Sequence, residues 1–128
     1  MKSIVGKSAV TRIYVDASNT AKTVGSGSLD VFATPMMIAL MERAACDCLE
    51  DCLDLGQTSV GVQLSIEHLA ASPIGLEVTA AATVERVEGR TVEFTVTAHD
   101  GIKEIGKGRH KRVIVDEKRF LEKAGKGG

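Results

Sequence analysis

The 128-residue chain is 44% apolar and 26% charged, with a formal net charge of −1. That balance suits a folded globular chain, excludes an intrinsically disordered one, and supplies no overall attraction for nucleic acid. The length fits one domain, residues 1–128, burying roughly 65 to 70% of its unfolded surface. No apolar run approaches the ~18 residues of a membrane span, and the first ten residues lack the apolar core of a signal peptide. The expectation is a cytoplasmic protein with no membrane partner.

In chain order, Thr11 to Val15 reads as a first strand from its β-branched content. Ser18 to Asp30, rich in Ser, Gly and Thr, reads as a long mobile connection. Gly25-Ser26-Gly27 lacks the following Gly-Lys-Ser/Thr of a P-loop, so it reads as a flexible lid. Pro35 to about Leu53 then predicts a helix, with Thr34 as N-cap and Pro35 at the first helical position. At about 100° per residue, Arg43, Asp47, Glu50, Asp51 and Asp54 share one charged face, and Glu42 lies about 120° from its centre, beside Ile38 and Leu49. Glu42 is therefore out of phase with the solvated charges, in a helix half that is apolar nearly all round. A carboxylate there is costly unless paired or used. The clustered, odd-numbered Cys46, Cys48 and Cys52 predict reduced thiols serving as small hydrophobes. With no histidine near them in sequence, no metal site is expected.

After Gly56 the period becomes two. Val60, Val62, Leu64 and Ile66 alternate with Ser59, Gly61, Gln63 and Ser65, and His68 continues the apolar phase. Leu76 to Val84 alternates likewise. Glu88-Gly89 marks a turn before Val92, Phe94, Val96 and Ala98, and Asp100-Gly101 a second turn before a strand from Glu104 to Val115. Glu117 to Ala124 reads as a short amphipathic tail. The predicted order is β-α-β-β-β-β: an α+β domain in which one antiparallel sheet curls around a single long helix. Such a sheet covers the helix on one side and leaves long edge strands exposed, which favours dimerisation.

This order, with Val31-Phe32-Ala33-Thr34, Leu40-Met41-Glu42, Ala98-His99-Asp100-Gly101 and Glu104-Ile105-Gly106, resembles the hotdog-fold thioesterases, and among them the fluoroacetyl-CoA thioesterase branch. The resemblance covers most of residues 5–120. It implies a five-stranded hotdog fold forming a homodimer or tetramer, and hydrolysis of an acyl-CoA without metal or other cofactor. The family's threonine, the glutamate eight residues on and the histidine twenty-six beyond that fall on Thr34, Glu42 and His68. Gly61 and Arg112 match positions that the family uses to bind substrate. The chain departs from the family's fluoroacetyl specialist in having no aromatic residue in Gly25-Ser26-Gly27-Ser28, which argues against strict fluoroacetate selectivity. Pro35 has no N–H to polarise a thioester carbonyl, so Met36 or Gly61 is expected to donate instead.

In the chemistry this implies, Glu42 is the base that activates water or the nucleophile that attacks the acyl carbon, and His68 moves protons or orients Glu42. Thr34 caps the helix at the substrate's edge. Thr34 and Glu42 are about 12 Å apart along a helix, and Gly61 and His68 about 23 Å along a strand. One compact site does not take all four from one chain, so a site shared across the dimer is expected, with Gly61 supplied by the partner of the chain supplying His68. Lys107, Arg109 and Lys111 share one strand face, solvated or steering the phosphates of coenzyme A. Aromatic residues are too few for a nucleic-acid surface. Two other readings stay open: a hotdog dehydratase or hydratase on acyl thioesters, and a non-catalytic acyl-CoA-binding module.

Overall fold

The computed structural model describes residues 3–126. Strand β1 (Ser8–Tyr14) is followed by a one-turn helix α1 (Ala21–Val24) and the long helix α2 (Thr34–Leu49). Strands β2 (Gln57–His68), β3 (Glu77–Glu88), β4 (Thr91–His99) and β5 (Glu104–Asp116) come next, and helix α3 (Glu117–Gly125) closes the order. All five strands form one antiparallel sheet in the order β1-β3-β4-β5-β2. Consecutive β2 and β3 are thus not neighbours. The chain crosses between opposite parts of the sheet after His68, leaving β1 and β2 as edges.

Four details differ from the sequence reading. β1 begins at Ser8, because Ser8 to Val10 pair with Ala81 to Thr83 of β3; Val15 lies beyond the strand but is buried. Helix α2 ends at Leu49, passes through a 3₁₀ turn (Glu50–Cys52) and stops where Leu53 turns extended, at ψ 141°. Residues 18–30 are no structureless connection. Thr20 caps α1 by accepting from the Thr23 N–H, and Gly25 ends it at φ 89°. The Ala21 and Lys22 amides bond the Val31 and Leu29 carbonyls, which ties the segment back onto itself.

The fourth difference matters most for the site. β2 does not alternate without interruption: a bulge between Gly61 and Gln63 shifts its register on β5. The added residue reverses which side chains face the helix. Ser59 and Gly61 face inward before the bulge, and Leu64, Ile66 and His68 after it. Val62 is left 53% exposed and Leu64 39%.

The helix lies against the inner sheet face as its pattern predicts. Met37, Leu40, Met41, Ala44, Ala45, Cys48 and Leu49 are buried against Val78, Ala80, Ala82, Val84, Val92, Phe94, Val96 and Ala98. Each large side chain fully buried here contributes about 1.5–3 kcal/mol. Glycine sets the approach to β5: a Cβ on Gly106 would sit 2.5 Å from the Met37 sulfur. The opposite helix face carries the expected charges, with Arg43 and Asp47 paired at 3.5 Å. All three cysteines are free, but only Cys48 is buried; Cys52 sits half-buried with its sulfur 3.4 Å from the Lys7 ammonium.

Candidate active site

Two groups of predicted residues assemble at different places along α2. The first is at its N-terminus. Ala33, not Thr34, occupies the N-cap, and it makes no side-chain capping bond. Thr34 is already helical, with Pro35 following, so its hydroxyl is free to reach His68 at the end of β2: Oγ1 and Nδ1 are 2.7 Å apart. The expected cap is thus replaced by a threonine–histidine pair. The other ring nitrogen, Nε2, is buried with no hydrogen-bond partner among the described residues. Burial lowers the His68 pKa, opposed in part by the Ala70 backbone, so the ring is held neutral. An unpaired buried nitrogen costs about 1–3 kcal/mol unless something binds it. An open pocket of about 280 Å³ adjoins the pair, walled by Ala21, Ser26, Val31, Phe32, Leu69, Ala70 and Ala71.

The second group surrounds Glu42, two turns further along α2. The Arg112 guanidinium lies 3.4 Å from its Oε2 and His110 Nε2 lies 3.9 Å from the same oxygen. Oε1 makes no protein hydrogen bond among the described residues, and 36% of the side chain is exposed. Glu42 is therefore only partly buried, paired on one oxygen and available on the other. Arg112 is buried and firmly held, donating from Nε to Ser59 Oγ and from Nη2 to the Ser59 carbonyl, each at 2.9 Å. Gly61 makes room for all of this: a Cβ there would lie 2.5 Å from Glu42 Oε2 and 3.3 Å from Arg112 Nη1. Gly61→Ala is expected to displace the carboxylate or guanidinium and lower kcat by about 10²-fold. Steady-state kinetics beside a thermal melt checks this, since the position is at an open edge and the melting temperature should hardly move.

The structure thus brings Thr34 to His68, and Glu42 to Gly61 and Arg112, but does not join the two groups within one chain. Met36 belongs to neither. Its N–H is taken by the Ala33 carbonyl at 3.0 Å, and its side chain lines the groove between α2 and β1 with Ile13 and Ala39. Of the two expected donors to the substrate, Met36 or Gly61, the Met36 amide is used in the first turn of the helix. The basic run also divides by phase. Lys107 and Arg109 are exposed on the outer face, while His110 and Arg112 are buried on the inner one. His110 and Ser59 were not singled out from sequence. The signal was the other phase of the same strand, Gly106, Gly108, His110 and Arg112, in which two polar residues follow two glycines on the face turned to the helix.

Comparison with known proteins bears on this geometry. Residues 15–118 match the family described as fluoroacetyl-CoA-specific thioesterase. The fluoroacetyl-CoA thioesterase of Streptantibioticus cattleyicolor is 42% identical over 94 residues, which is 73% of this chain and 68% of that protein. Among solved structures, a mutant of the fluoroacetyl-CoA-specific thioesterase FlK in complex with fluoroacetate and CoA superposes with a TM-score of 0.86 at 34% identity, covering 91% of this chain and 98% of that one. A thioesterase superfamily member from Thermus thermophilus gives a TM-score of 0.86 at 28% identity, with full coverage of both chains. The sheet curled about one helix is the hotdog fold, and the chain belongs to the fluoroacetyl-CoA-specific thioesterase family.

Proposed function

We propose that the protein hydrolyses the thioester of a small or medium acyl-CoA to the free acid and CoA, with Thr34, Glu42 and His68 acting in a site completed by a second copy of the chain. The observation that carries this reading is the incomplete state of both groups: a buried His68 Nε2 without a partner and a Glu42 with one oxygen uncommitted. Glu42 activates water or attacks the acyl carbon itself, and Arg112 supplies its counter-charge. His68, neutral at rest and fixed by Thr34, relays to the leaving thiolate the proton that the attacking water gives up. Gly61 lines the carboxylate's side of the site and is a candidate for a backbone donor to the carbonyl.

The second copy follows from β2. It is a twelve-residue edge strand with exposed Val62 and Leu64, and such an edge pairs readily with another strand. A two-fold axis near Gln63 and Leu64 pairs β2 with the partner's β2 in antiparallel fashion. That places His68 of one chain beside the Ser59–Gly61 stretch of the other, where Glu42 and Arg112 lie. Small side chains at Ala21, Ser26, Ala70 and Ala71 line the pocket beside Thr34, so acyl groups larger than fluoroacetyl fit the reading.

Free-thiol release from a panel of acyl-CoAs, from acetyl through longer and halogenated chains, tests the activity. Stoichiometric CoA and acid are expected from part of the panel. Water addition to enoyl-CoA without thiol release would indicate a hydratase, and ligand binding without turnover a binding module; either would contradict the proposal.

A further inference from the structure

We propose that His110 is a positioning residue for Glu42, acting through Arg112: its ring accepts a hydrogen bond from the guanidinium and so fixes the cation that faces the carboxylate. His110 is 2% exposed and Arg112 5%, side by side on the inner face of β5. His110 Nδ1 lies 2.9 Å from the Gln63 carbonyl. A carbonyl only accepts, so Nδ1 carries the proton. Nε2 lies 3.1 Å from Arg112 Nη1, and a guanidinium only donates, so Nε2 offers its lone pair. Both ring nitrogens are used, and they define a single tautomer of a neutral ring.

The groups facing the ring support this state. Phe94 of β4 stacks on it with centroids 6.1 Å apart, Gln63 comes from β2, Glu42 from α2, and Arg112 from its own strand. Burial favours the neutral form, and the Arg112 charge adds to that; the Gln63 carbonyl and the Glu42 carboxylate oppose it. An imidazolium would turn an Nε2–H against the Arg112 N–H. The β2 bulge has a purpose here, since it is at Gln63, directly after the shift, that the carbonyl meeting Nδ1 is presented. Ser59 holds two guanidinium nitrogens and His110 the third, the one that reaches Glu42.

The role rests on the reading of Glu42 as the catalytic carboxylate, and two measurements separate the two ideas. In ¹⁵N-histidine-labelled protein, His110 is expected to show the Nδ1–H tautomer at neutral pH and to protonate only below the usual midpoint of about 6.5. The Nε2–H tautomer, or a charged ring at neutral pH, would overturn the proposal whatever the enzyme does. In kinetics, H110N keeps the Nδ1 donor but loses the acceptor, whereas H110Q can place its amide oxygen near Arg112. The expectation for H110N is a kcat at least about tenfold lower with KM within about twofold, and for H110Q recovery of most of it. In an Arg112→Lys background H110N should add little. Unchanged kcat in folded H110N, or losses that multiply fully with Arg112→Lys, would refute a role through Arg112. Should H110N fail to fold, the spectrum of the unmutated protein and the kinetics of H110Q decide.

Discussion

Glu42→Gln is expected to lower kcat for acyl-CoA hydrolysis by about 10³-fold, the contribution of a well-placed general base or nucleophile, with little change in melting temperature. The amide keeps the shape of the carboxylate and still offers an oxygen to Arg112, whose bonds to Ser59 and His110 stay in place. What it loses is the negative charge, and with it the basicity of the uncommitted oxygen. Glu42→Ala should lose as much activity but leave the buried Arg112 with neither its counter-charge nor an acceptor oxygen on that side, so more of its effect would be structural. A folded Glu42→Gln protein that releases thiol at the unmutated rate would remove Glu42 from the chemistry and reduce its pairing with Arg112 to a structural ion pair.

Asp100→Ala carries the largest expected stability loss, about 3 kcal/mol, or a melting temperature about 10 °C lower. The Asp100 carboxylate is buried and accepts from four donors: the Ile102 and Lys103 amides, Ser72 Oγ and Lys103 Nζ. Burial alone would raise its pKa. The Lys103 ammonium, the Ser72 hydroxyl and the two amides outweigh that and hold it far below the usual carboxylate range. A folded-state pKa below the unfolded one means that the stabilisation is fully present above about pH 4 to 5 and is lost as pH falls toward the folded value. The stability gap between the unmutated protein and Asp100→Asn, read from denaturant melts, should therefore narrow steadily below about pH 4. A gap that stays constant down to pH 2 would show that the carboxylate's charge contributes nothing. The network also reaches the site, because the Ser72 carbonyl receives the Phe32 amide two residues before Thr34.

Much of the fold was legible in the sequence. Periods of 3.6 and 2 are direct records of which side chains face a core, and Met37, Met41, Ala44, Val92, Phe94, Val96 and Ala98 lie where the pattern puts them. What was not legible depends on partners remote in sequence. The β2 bulge arises from register against β5, some fifty residues later. Nothing local to Ser59, Gly61 or Val62 reveals that the inward phase changes there. Thr34 looks like a helix cap on local chemistry, yet its hydroxyl goes to a histidine thirty-four residues away. His110 was concealed by composition: within Lys107 to Arg112 the charges draw attention to the solvated phase, while the residues that hold Glu42 occupy the other. Glu42 itself stood out because a charge out of phase with its helix needs a reason, and Arg112 supplies only half of one.

The central claim, that one site takes Thr34 and His68 from one chain and Glu42 from another, is tested most directly by mixing two inactive variants. His68→Ala and Glu42→Ala proteins would be denatured together, refolded at equal concentration and assayed for CoA release. If the site is shared, half of the dimers are mixed and each carries one intact site, so about a quarter of the unmutated activity should return. No recovery, with mixed dimers shown to be present, would mean that each chain builds its site alone and would contradict the account.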